Sequence, residues 1–244
     1  MNPLVAPLAL LLLLSRSVLA INEAVDPAKT FAMRTAVNSL TAYNSLSDSD
    51  YVYDWNSNDN RSAYPGSVFF ADAATWPVLG AAGGTVSAAQ INLEACAMLP
   101  PHAHRATKIA IAVNGTTRTW MRVANGATDR ETTLTPGLMT VFPRGAIHTM
   151  HNLGCTPSRL YTFFDSVDPG TISVAQAFMA TGPDIALAVM PFIQQVQRDD
   201  DAGNDNSSTW NATSNLVPPI ALGAQIGTAE CLKRECRSLG AIIV

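Results

Sequence analysis

The chain has 244 residues, long enough for one sizeable domain or two small ones, and a formal net charge of −4 at pH 7. Charged residues make up only 14% of the sequence and hydrophobic residues 48%, which excludes an intrinsically disordered chain. Because there is no excess of basic residues, nucleic-acid binding is not expected.

The N-terminus has the features of a secretory signal peptide. Residues 4–14 are almost wholly apolar, and Val18, Leu19 and Ala20 follow them with the small residues of a cleavage site. This run is too short to span a bilayer, and no later segment is long enough. We therefore predict a signal peptide over 1–20, a secreted protein of the extracellular space or cell wall, and no membrane insertion. An uncleaved anchor is the alternative.

Two residue patterns agree with secretion. Four N-x-S/T sequons predict glycosylation at Asn60, Asn114, Asn206 and Asn211. The four cysteines are Cys96, Cys155, Cys231 and Cys236. In an oxidising compartment such an even set indicates disulfides rather than metal ligands.

The N-terminal extension, residues 21–67, is predicted to be helix and loop. Asp26 and Pro27 form an N-cap and N1 pair, and a helix is expected over 27–46. Its apolar residues recur at helical spacing: Val37, Leu40 and Tyr43. Residues 47–67 are rich in Ser, Asp and Asn and predict a loop.

Short apolar runs separated by Gly and Pro then predict an antiparallel β-sandwich or small barrel. The runs are Thr85–Leu93, Ile109–Val113, Thr117–Val123, Leu138–Phe142 and Arg159–Phe164. Asn114-Gly115 between two of them predicts a hairpin turn. Helices are expected over 172–181 and 183–197, followed by a polar segment at 199–208.

All four histidines fall in two clusters, His102 with His104 and His148 with His151. Residues two apart on a strand point to one face, so His102 and His104 can share a metal ion, with His148 as the third ligand from a neighbouring strand. His151 is expected on the opposite face, as a second-sphere or surface residue. The alternative is that these histidines are ordinary polar residues near turns.

Two longer motifs carry a family resemblance. Residues 100–107, PPHAHRAT, resemble the first motif of the germin-like cupins, and residues 141–148, VFPRGAIH, with 152–155, NLGC, resemble the second. The similarity covers roughly 76–190 and is greatest to the single-domain, spherulin-type branch, which DPGT at 168–171 also resembles.

The resemblance implies a mainly β fold, a single jelly-roll barrel with flanking helices, which we place over 68–198. The residues that follow predict a polar linker and disulfide-closed tail over 199–244. The resemblance also implies a secreted homo-oligomer that holds manganese through three His and one Glu. Family activities include oxalate oxidase and superoxide dismutase, and some members have no established activity.

Lys108 stands where the family has its Glu ligand, and Leu99 where germins often have Asn. An all-imidazole set suits zinc, copper or iron better than manganese. Lys108 must turn away, lose its proton or exclude the metal. It can also attract a small acidic substrate, act as a base, or simply reach solvent. Arg105 and Arg144 flank the motifs and can attract acidic substrates.

The same fold predicts a bridge between Cys96 and Cys155, because antiparallel neighbouring strands that carry the histidines would bring them together. Cys231 and Cys236 are expected to close a C-terminal loop. Four cysteines allow three connectivities, so other pairings stay open.

Three functions follow. The leading hypothesis is a secreted germin-like cupin with a divalent metal on His102, His104 and His148, and oxidoreductase activity of the germin type if it is an enzyme. The alternative is a non-catalytic, oligomeric cell-surface or matrix scaffold. A weaker alternative is a lyase or isomerase that uses Lys108 as its base.

Overall fold

The computed structural model of the protein describes residues 25–57, 66–81 and 83–189. The strands of this part are β1 Gly66–Ala71, β2 Ser87–Leu93, β3 Met98–Ala103, β4 Lys108–Asn114, β5 Thr117–Arg122, β6 Arg130–Leu134, β7 Met139–Phe142, β8 Ile147–His151, β9 Ser158–Phe164 and β10 Ile172–Ser173. Its α-helices are α1 Pro27–Thr35, α2 Ser39–Asn44, α3 Val78–Ala81, α4 Val174–Met179 and α5 Pro183–Val189. Short 3-10 helices cover Asp48–Tyr51 and Trp55–Ser57. None of the helices described is long and apolar enough to cross a membrane.

The strands form two five-stranded antiparallel sheets. Sheet A has the order β1-β2-β9-β4-β7, and sheet B has the order β10-β3-β8-β5-β6. The main core lies between them, with Ile91, Leu160 and Phe142 from sheet A and Leu134 and Met150 from sheet B. These side chains are at most 3% exposed. The predicted mainly β fold with flanking helices is confirmed.

The five apolar runs became strands, and the two neighbouring strands expected to carry the histidines are β3 and β8. β1, β6 and β10 were not recognised as strands from their sequences. β3 contains Pro100 and Pro101, which are unusual within a sheet. β6 is largely polar, with the sequence RETTL. β1 begins at Gly66, two residues before the predicted start of the barrel.

The hairpin predicted at Asn114-Gly115 is wrong. β4 pairs with β7 and β9 in sheet A, whereas β5 pairs with β6 and β8 in sheet B. The turn is tight, with φ of 67° at Gly115, and a Cβ there would lie 2.8 Å from the Pro157 carbonyl oxygen. The glycine therefore lets the chain pass close to the start of β9 while it crosses from one sheet to the other.

The single helix predicted over 27–46 is two helices. Asp26 caps α1 as predicted, since its Oδ1 accepts from the Lys29 N–H at 2.8 Å. Asn38 caps α2 in the same way, accepting from the Thr41 N–H at 2.9 Å, and this cap interrupts the helix. The apolar residue between them, Val37, is 92% exposed, and Met33 of α1 is buried instead.

At the C-terminal side, residues 172–173 form β10 rather than the start of a helix, because they pair with Ala103 and His102 of β3. Helices α4 and α5 follow.

Several predictions lie outside the described residues: the signal peptide, residues 190–244, Cys231, Cys236 and the sequons at Asn60, Asn206 and Asn211. Asn114, the sequon residue that lies within the described residues, is exposed at the end of β4.

Candidate metal centre

Pairing of β3 with β8 brings the two histidine motifs together. His102 and His148 are direct antiparallel partners, just after a register shift that follows Leu99. Their ring centroids are 4.2 Å apart, and the ring of His104 lies 4.9 Å from that of His102. One ring nitrogen from each of the three residues lies within 4.8 Å of the others, and all three side chains are buried. The structure thus assembles the predicted trio.

Backbone carbonyls orient each of the three rings. Nδ1 of His102 lies 2.7 Å from the Pro100 oxygen, and Nδ1 of His148 lies 2.9 Å from the Ala146 oxygen. Nδ1 of His104 lies 2.5 Å from the Gly170 oxygen. Because a carbonyl only accepts, each Nδ1 carries the proton and each Nε2 keeps its lone pair. This is the arrangement by which proteins prepare imidazoles for a metal.

Burial keeps the three imidazoles neutral. Burial, together with the smaller effect of the nearby Lys108, lowers the pKa of His104 to about 3 and that of His148 to about 2. The pKa of His102 is held well below its usual range by the same two causes. Nε2 of His104 is buried and has no hydrogen-bond partner among the described residues. A buried acceptor without a donor is costly, so this atom is suited to a ligand.

The side chain of Lys108 reaches the three histidines from sheet A, whereas His102 and His148 lie on strands of sheet B. Lys108 begins β4, pairs in register with Phe142 and Phe164, and is 1% exposed. Its Nζ donates to Nε2 of His148 at 3.2 Å. Burial lowers the pKa of Lys108 to about 7. The expectation that this side chain reaches solvent is therefore wrong, and so is the expectation that it turns away.

The surrounding aromatic rings make the Lys108 environment apolar. Nζ lies 5.4 Å from the ring centroid of Phe142 and 5.9 Å from that of Phe164. The Phe142 ring also stacks on His148, with centroids 4.3 Å apart and an interplanar angle of 19°. Within the described residues, Lys108 forms no ion pair with a carboxylate.

His151 does not join the trio. Burial alternates along β8, so that His148 and Met150 are buried while His151 is partly exposed on the other face. This agrees with the expected placement outside the site.

A cavity of about 590 Å³ opens beside the trio. Its lining includes His102, His104, Lys108 and Leu99, so Leu99 does face the space expected for a substrate. Arg105 lines the exposed part of the cavity and is paired with Asp168 at 3.0 Å.

Arg144 is not among the described lining residues and instead pairs with Asp165 at 3.3 Å. Of the two arginines that flank the motifs, Arg105 therefore lines the cavity and Arg144 does not.

Arg34 was not recognised from the sequence as a cavity residue. It lies in the last turn of α1 and reaches the cavity because the N-terminal extension packs beside the barrel. Nothing in the local sequence around Arg34 indicates this, since the contact depends on the fold.

Cys96 and Cys155 are both disulfide-bonded. The N–H of Cys96 also donates to the carbonyl oxygen of Gly154 at 3.2 Å, which places the backbone before β3 against the residue preceding Cys155. Cys96 has φ of 61°, an uncommon conformation for a residue other than glycine.

The donor set decides which ions fit. Three neutral imidazoles with converging lone pairs suit zinc, copper or iron. Within the described residues, no carboxylate joins the trio, and the nitrogen of Lys108 lies beside it instead. The trio therefore fits a divalent ion that prefers nitrogen ligands and fits a carboxylate-preferring manganese site poorly.

Comparisons with known proteins agree on the family. The family model described as Cupin matches residues 56–198. Spherulin-1B of Physarum polycephalum is 32% identical over 202 residues, which cover 82% of this chain and 75% of that protein. Spherulin-1A of the same organism is 30% identical over 185 residues, covering 75% and 74%.

A plant relative and a solved structure extend the comparison. Germin-like protein 5-1 of Oryza sativa subsp. japonica is 31% identical over 140 residues, covering 57% of this chain and 62% of that one. The structure of recombinant oxalate oxidase in complex with glycolate matches with a TM-score of 0.55 at 22% identity, covering 71% of this chain and 84% of that chain. At this identity the structural match shows a shared fold. The chain belongs to the cupin family and is a germin-like cupin of the spherulin type.

Proposed function

We propose that the protein is a secreted cupin that binds one divalent metal ion through His102, His104 and His148 and is an oxidoreductase of the germin type. The observation that carries the proposal is the convergence of three imidazoles whose Nδ1 atoms all face backbone carbonyls. This leaves the Nε2 lone pairs of His102 and His104 for one ion, and that of His148 once the ion displaces its contact with Lys108 Nζ. Secretion rests on the signal-like N-terminus and on the sequons.

For the oxidoreductase activity the metal we propose is copper or iron rather than manganese; zinc suits the same nitrogen ligands but has no redox chemistry. The family resemblance favours manganese, but Lys108 brings a nitrogen and not a carboxylate to the trio. A bound ion of this kind would supply a Lewis acid and, for copper or iron, a redox centre.

The chain itself supplies orientation and an apolar environment. Gly170 positions His104 through its carbonyl, and its φ of 56° suits glycine. A Cβ at Gly170 would lie 2.9 Å from Nε of Arg105, an exposed side chain that can move aside, so it is the backbone conformation that favours glycine here. Phe142 and Phe164 lie beside the amino group of Lys108 and make its surroundings apolar. A small acidic molecule entering there meets the amino group of Lys108, which can donate a hydrogen bond.

The second candidate function, a non-catalytic oligomeric scaffold, is favoured by the outer face of sheet A. Ile109 pairs in register with Val141 on one side and Phe163 on the other, and all three are 43–51% exposed. In the next row Ile111 pairs with Met139, which is 68% exposed. Contiguous exposed apolar side chains of this kind are typical of protein interfaces. We propose that this face contributes to a homo-oligomer.

We also propose that Cys96 and Cys155 bridge each other, since both are disulfide-bonded and the backbone bond from Cys96 to Gly154 brings the two segments together. The bridge would fasten the segment before β3 to the segment after β8. Peptide mapping without reduction should yield one cross-linked pair containing both residues. A Cys96 peptide linked to Cys231 or Cys236 would contradict the pairing.

The experiment that tests the proposed function measures turnover of oxalate and of superoxide by the metal-loaded full chain. We expect activity on at least one of them that is absent from the metal-free protein and from His102→Ala. His151→Ala is the matched control, because this His lies outside the trio, and it should retain both metal and activity. Metal uptake without turnover of either compound would favour the scaffold. A wild-type chain that takes up no metal would contradict the proposal.

A further inference from the structure

The three rings of the trio are oriented in two different ways. Those of His102 and His148 each face a carbonyl two residues earlier in the chain. The ring of His104 faces the carbonyl of Gly170, 66 residues later. The orientation of His104 therefore depends on where residues 165–171, which we call the strap, lie on the barrel.

The start of the strap is tied to the segment that carries His104. The N–H of Asp165 donates to the carbonyl oxygen of Thr107 at 3.2 Å, and Oδ1 of Asp165 accepts from the Thr107 N–H at 2.9 Å. Oδ2 of the same carboxylate accepts from Arg144 of the second motif at 3.3 Å. Because Thr107 follows His104 closely in the chain, this end of the strap and the ligand are held together.

The end of the strap is tied to β3 by backbone hydrogen bonds. The N–H of Arg105 donates to the carbonyl oxygen of Pro169 at 2.8 Å. Ile172, directly after the strap, pairs with Ala103 of β3. These contacts lie on both sides of Gly170 and its neighbour in the chain, so they fix the direction in which the Gly170 carbonyl points.

The ion pair on the strap contributes little to holding it. Arg105 and Asp168 lie 3.0 Å apart, but their side chains are 63% and 69% exposed. Exposed pairs of this kind contribute roughly 0–1 kcal/mol. The middle of the strap is instead held by its backbone, since the carbonyl oxygen of Val167 accepts from the Ala73 N–H at 3.0 Å.

Two groups of different chemistry lie next to Nδ1 of His104. One is the carbonyl of Gly170, and the other is Oγ1 of Thr171 at 3.3 Å. A carbonyl only accepts, whereas a hydroxyl donates or accepts. With the carbonyl in place, the proton stays on Nδ1 and the buried Nε2, which has no hydrogen-bond partner among the described residues, keeps its lone pair. With the carbonyl turned away, the hydroxyl can donate to Nδ1, and the ring then carries its proton on Nε2.

We propose that the strap is a positioning element of the metal site and that His104 is its conditional ligand, which presents the Nε2 lone pair only while the strap holds the Gly170 carbonyl against Nδ1. The proposal deepens the proposed function and rests on it, since it concerns the same three ligands. His102 and His148 are independent of the strap, because their carbonyl partners lie beside them in the chain.

The test reads the tautomer of each histidine ring by nitrogen-15 NMR in the metal-free full chain. Gly170→Pro is the test variant, because proline fixes φ at about −65° and cannot adopt the 56° of Gly170. We expect the wild type to carry the proton on Nδ1 in all three rings of the trio, and Gly170→Pro to lose this arrangement at His104 alone. Gly126→Pro is the matched control, since Gly126 also has a positive φ, of 82°, but lies between β5 and β6. It should leave all three rings unchanged.

Two results would overturn the proposal. One is a His104 ring that keeps its Nδ1 proton in Gly170→Pro. The other is a change of all three rings together, which a general loss of structure would produce.

If Gly170→Pro does not fold, substitutions of Asp165 decide. Asp165→Ala removes the acceptor of the Thr107 N–H and should move part of the His104 population to the other tautomer. Asp165→Asn keeps an acceptor oxygen and should restore the wild-type ring. Asp168→Ala, which loses only the exposed ion pair, should also resemble the wild type. An unchanged His104 tautomer in Asp165→Ala would overturn the proposal.

Zinc affinity, measured by competition with a chromophoric chelator, separates this inference from the proposed function. We expect Gly170→Pro to bind zinc about 10- to 100-fold more weakly than the wild type, which is the usual effect of losing the hydrogen-bond partner of a ligand, and Gly126→Pro to bind as the wild type does. Equal zinc affinity in Gly170→Pro and the wild type would overturn the inference and leave the metal site intact. A wild type that takes up no zinc, with a His104 tautomer that still depends on Gly170, would overturn the proposed metal site and support the control of His104 by the strap.

Discussion

The two faces of β4 have opposite chemistry. The inward face carries Lys108, Ala110 and Ala112, each at most 1% exposed. The outward face carries Ile109 and Val113, which are 43% and 42% exposed. A strand with one solvated face usually places its large apolar residues inward and its charged residues outward, and β4 does the reverse.

This reversal separates two roles within one strand. Small alanines on the inner face leave space between the sheets, while Lys108 places an amino group at the trio. The isoleucine and valine on the outer face contribute little to the core of the chain, so their apolar area is available to another surface. In the functions proposed above, the inner face serves the metal site and the outer face serves assembly.

The largest expected effect comes from removing the trio itself. Replacing His102, His104 or His148 by Ala removes one of three nitrogen ligands, and we expect the affinity for zinc to fall more than about 100-fold, beyond the usual effect of second-shell changes. Competition with a chromophoric chelator measures this loss. His151→Ala should bind as the wild type does; a loss as large as that of the trio variants would show that the ligands are wrongly assigned.

Lys108→Glu should change the metal preference of the inner face. It replaces a nitrogen cation beside His148 with a carboxylate, which suits manganese, so manganese affinity should rise by about tenfold or more. Calorimetry or electron paramagnetic resonance titration with Mn²⁺ measures the change. Lys108→Met, which removes the charge and adds no carboxylate, is the control for simple loss of repulsion. An equal gain of manganese affinity in both variants would contradict a role for the carboxylate.

The pH dependence of stability tests the buried state of Lys108 in the metal-free protein. Its folded-state pKa, about 7, is below the ordinary lysine value of 10.5, so the unfolded chain binds more protons between these values. The contribution of Lys108 to the free energy of unfolding should therefore rise with pH across this window, by up to about 1.4 kcal/mol per pH unit. Lys108→Met should remove that contribution.

Denaturant unfolding of wild type and Lys108→Met at several pH values between about 7 and 10 measures this difference. The variant should be the more stable protein near pH 7, and its advantage should shrink as the pH rises. A constant difference across the window would mean that Lys108 titrates alike in the folded and unfolded chains.

A substitution on the outer face of sheet A is expected to have the smallest effect on folding and a clear effect on assembly. Ile109→Lys introduces a charge at an exposed position, so the free energy of unfolding of the isolated subunit should change by only about 0.5 kcal/mol. The oligomer should dissociate, as measured by sedimentation velocity. Thr133→Lys, at an exposed site on β6 of the other sheet, is the matched control. An oligomer that survives Ile109→Lys but not Thr133→Lys would move the interface to sheet B.

Sequence reasoning identified the trio because its geometry depends on short-range rules. Two residues of spacing put His102 and His104 on one side, and one antiparallel pairing supplied His148. These rules did not predict the burial of Lys108. Alternation along β4 with the large apolar residues facing inward would bury Ile109 and expose Lys108. The Asn114-Gly115 turn failed for a related reason: its local conformation was as expected, but only the sheet pairing shows that the flanking strands separate.

The most direct test of the central claim is the metal content of the secreted protein, purified without exposure to affinity-resin metal and measured by elemental mass spectrometry. Three convergent, neutral imidazoles predict about one equivalent of zinc, copper or iron per chain in the wild type and almost none in His102→Ala. A wild-type chain that carries no metal and takes up none on reconstitution would contradict the account.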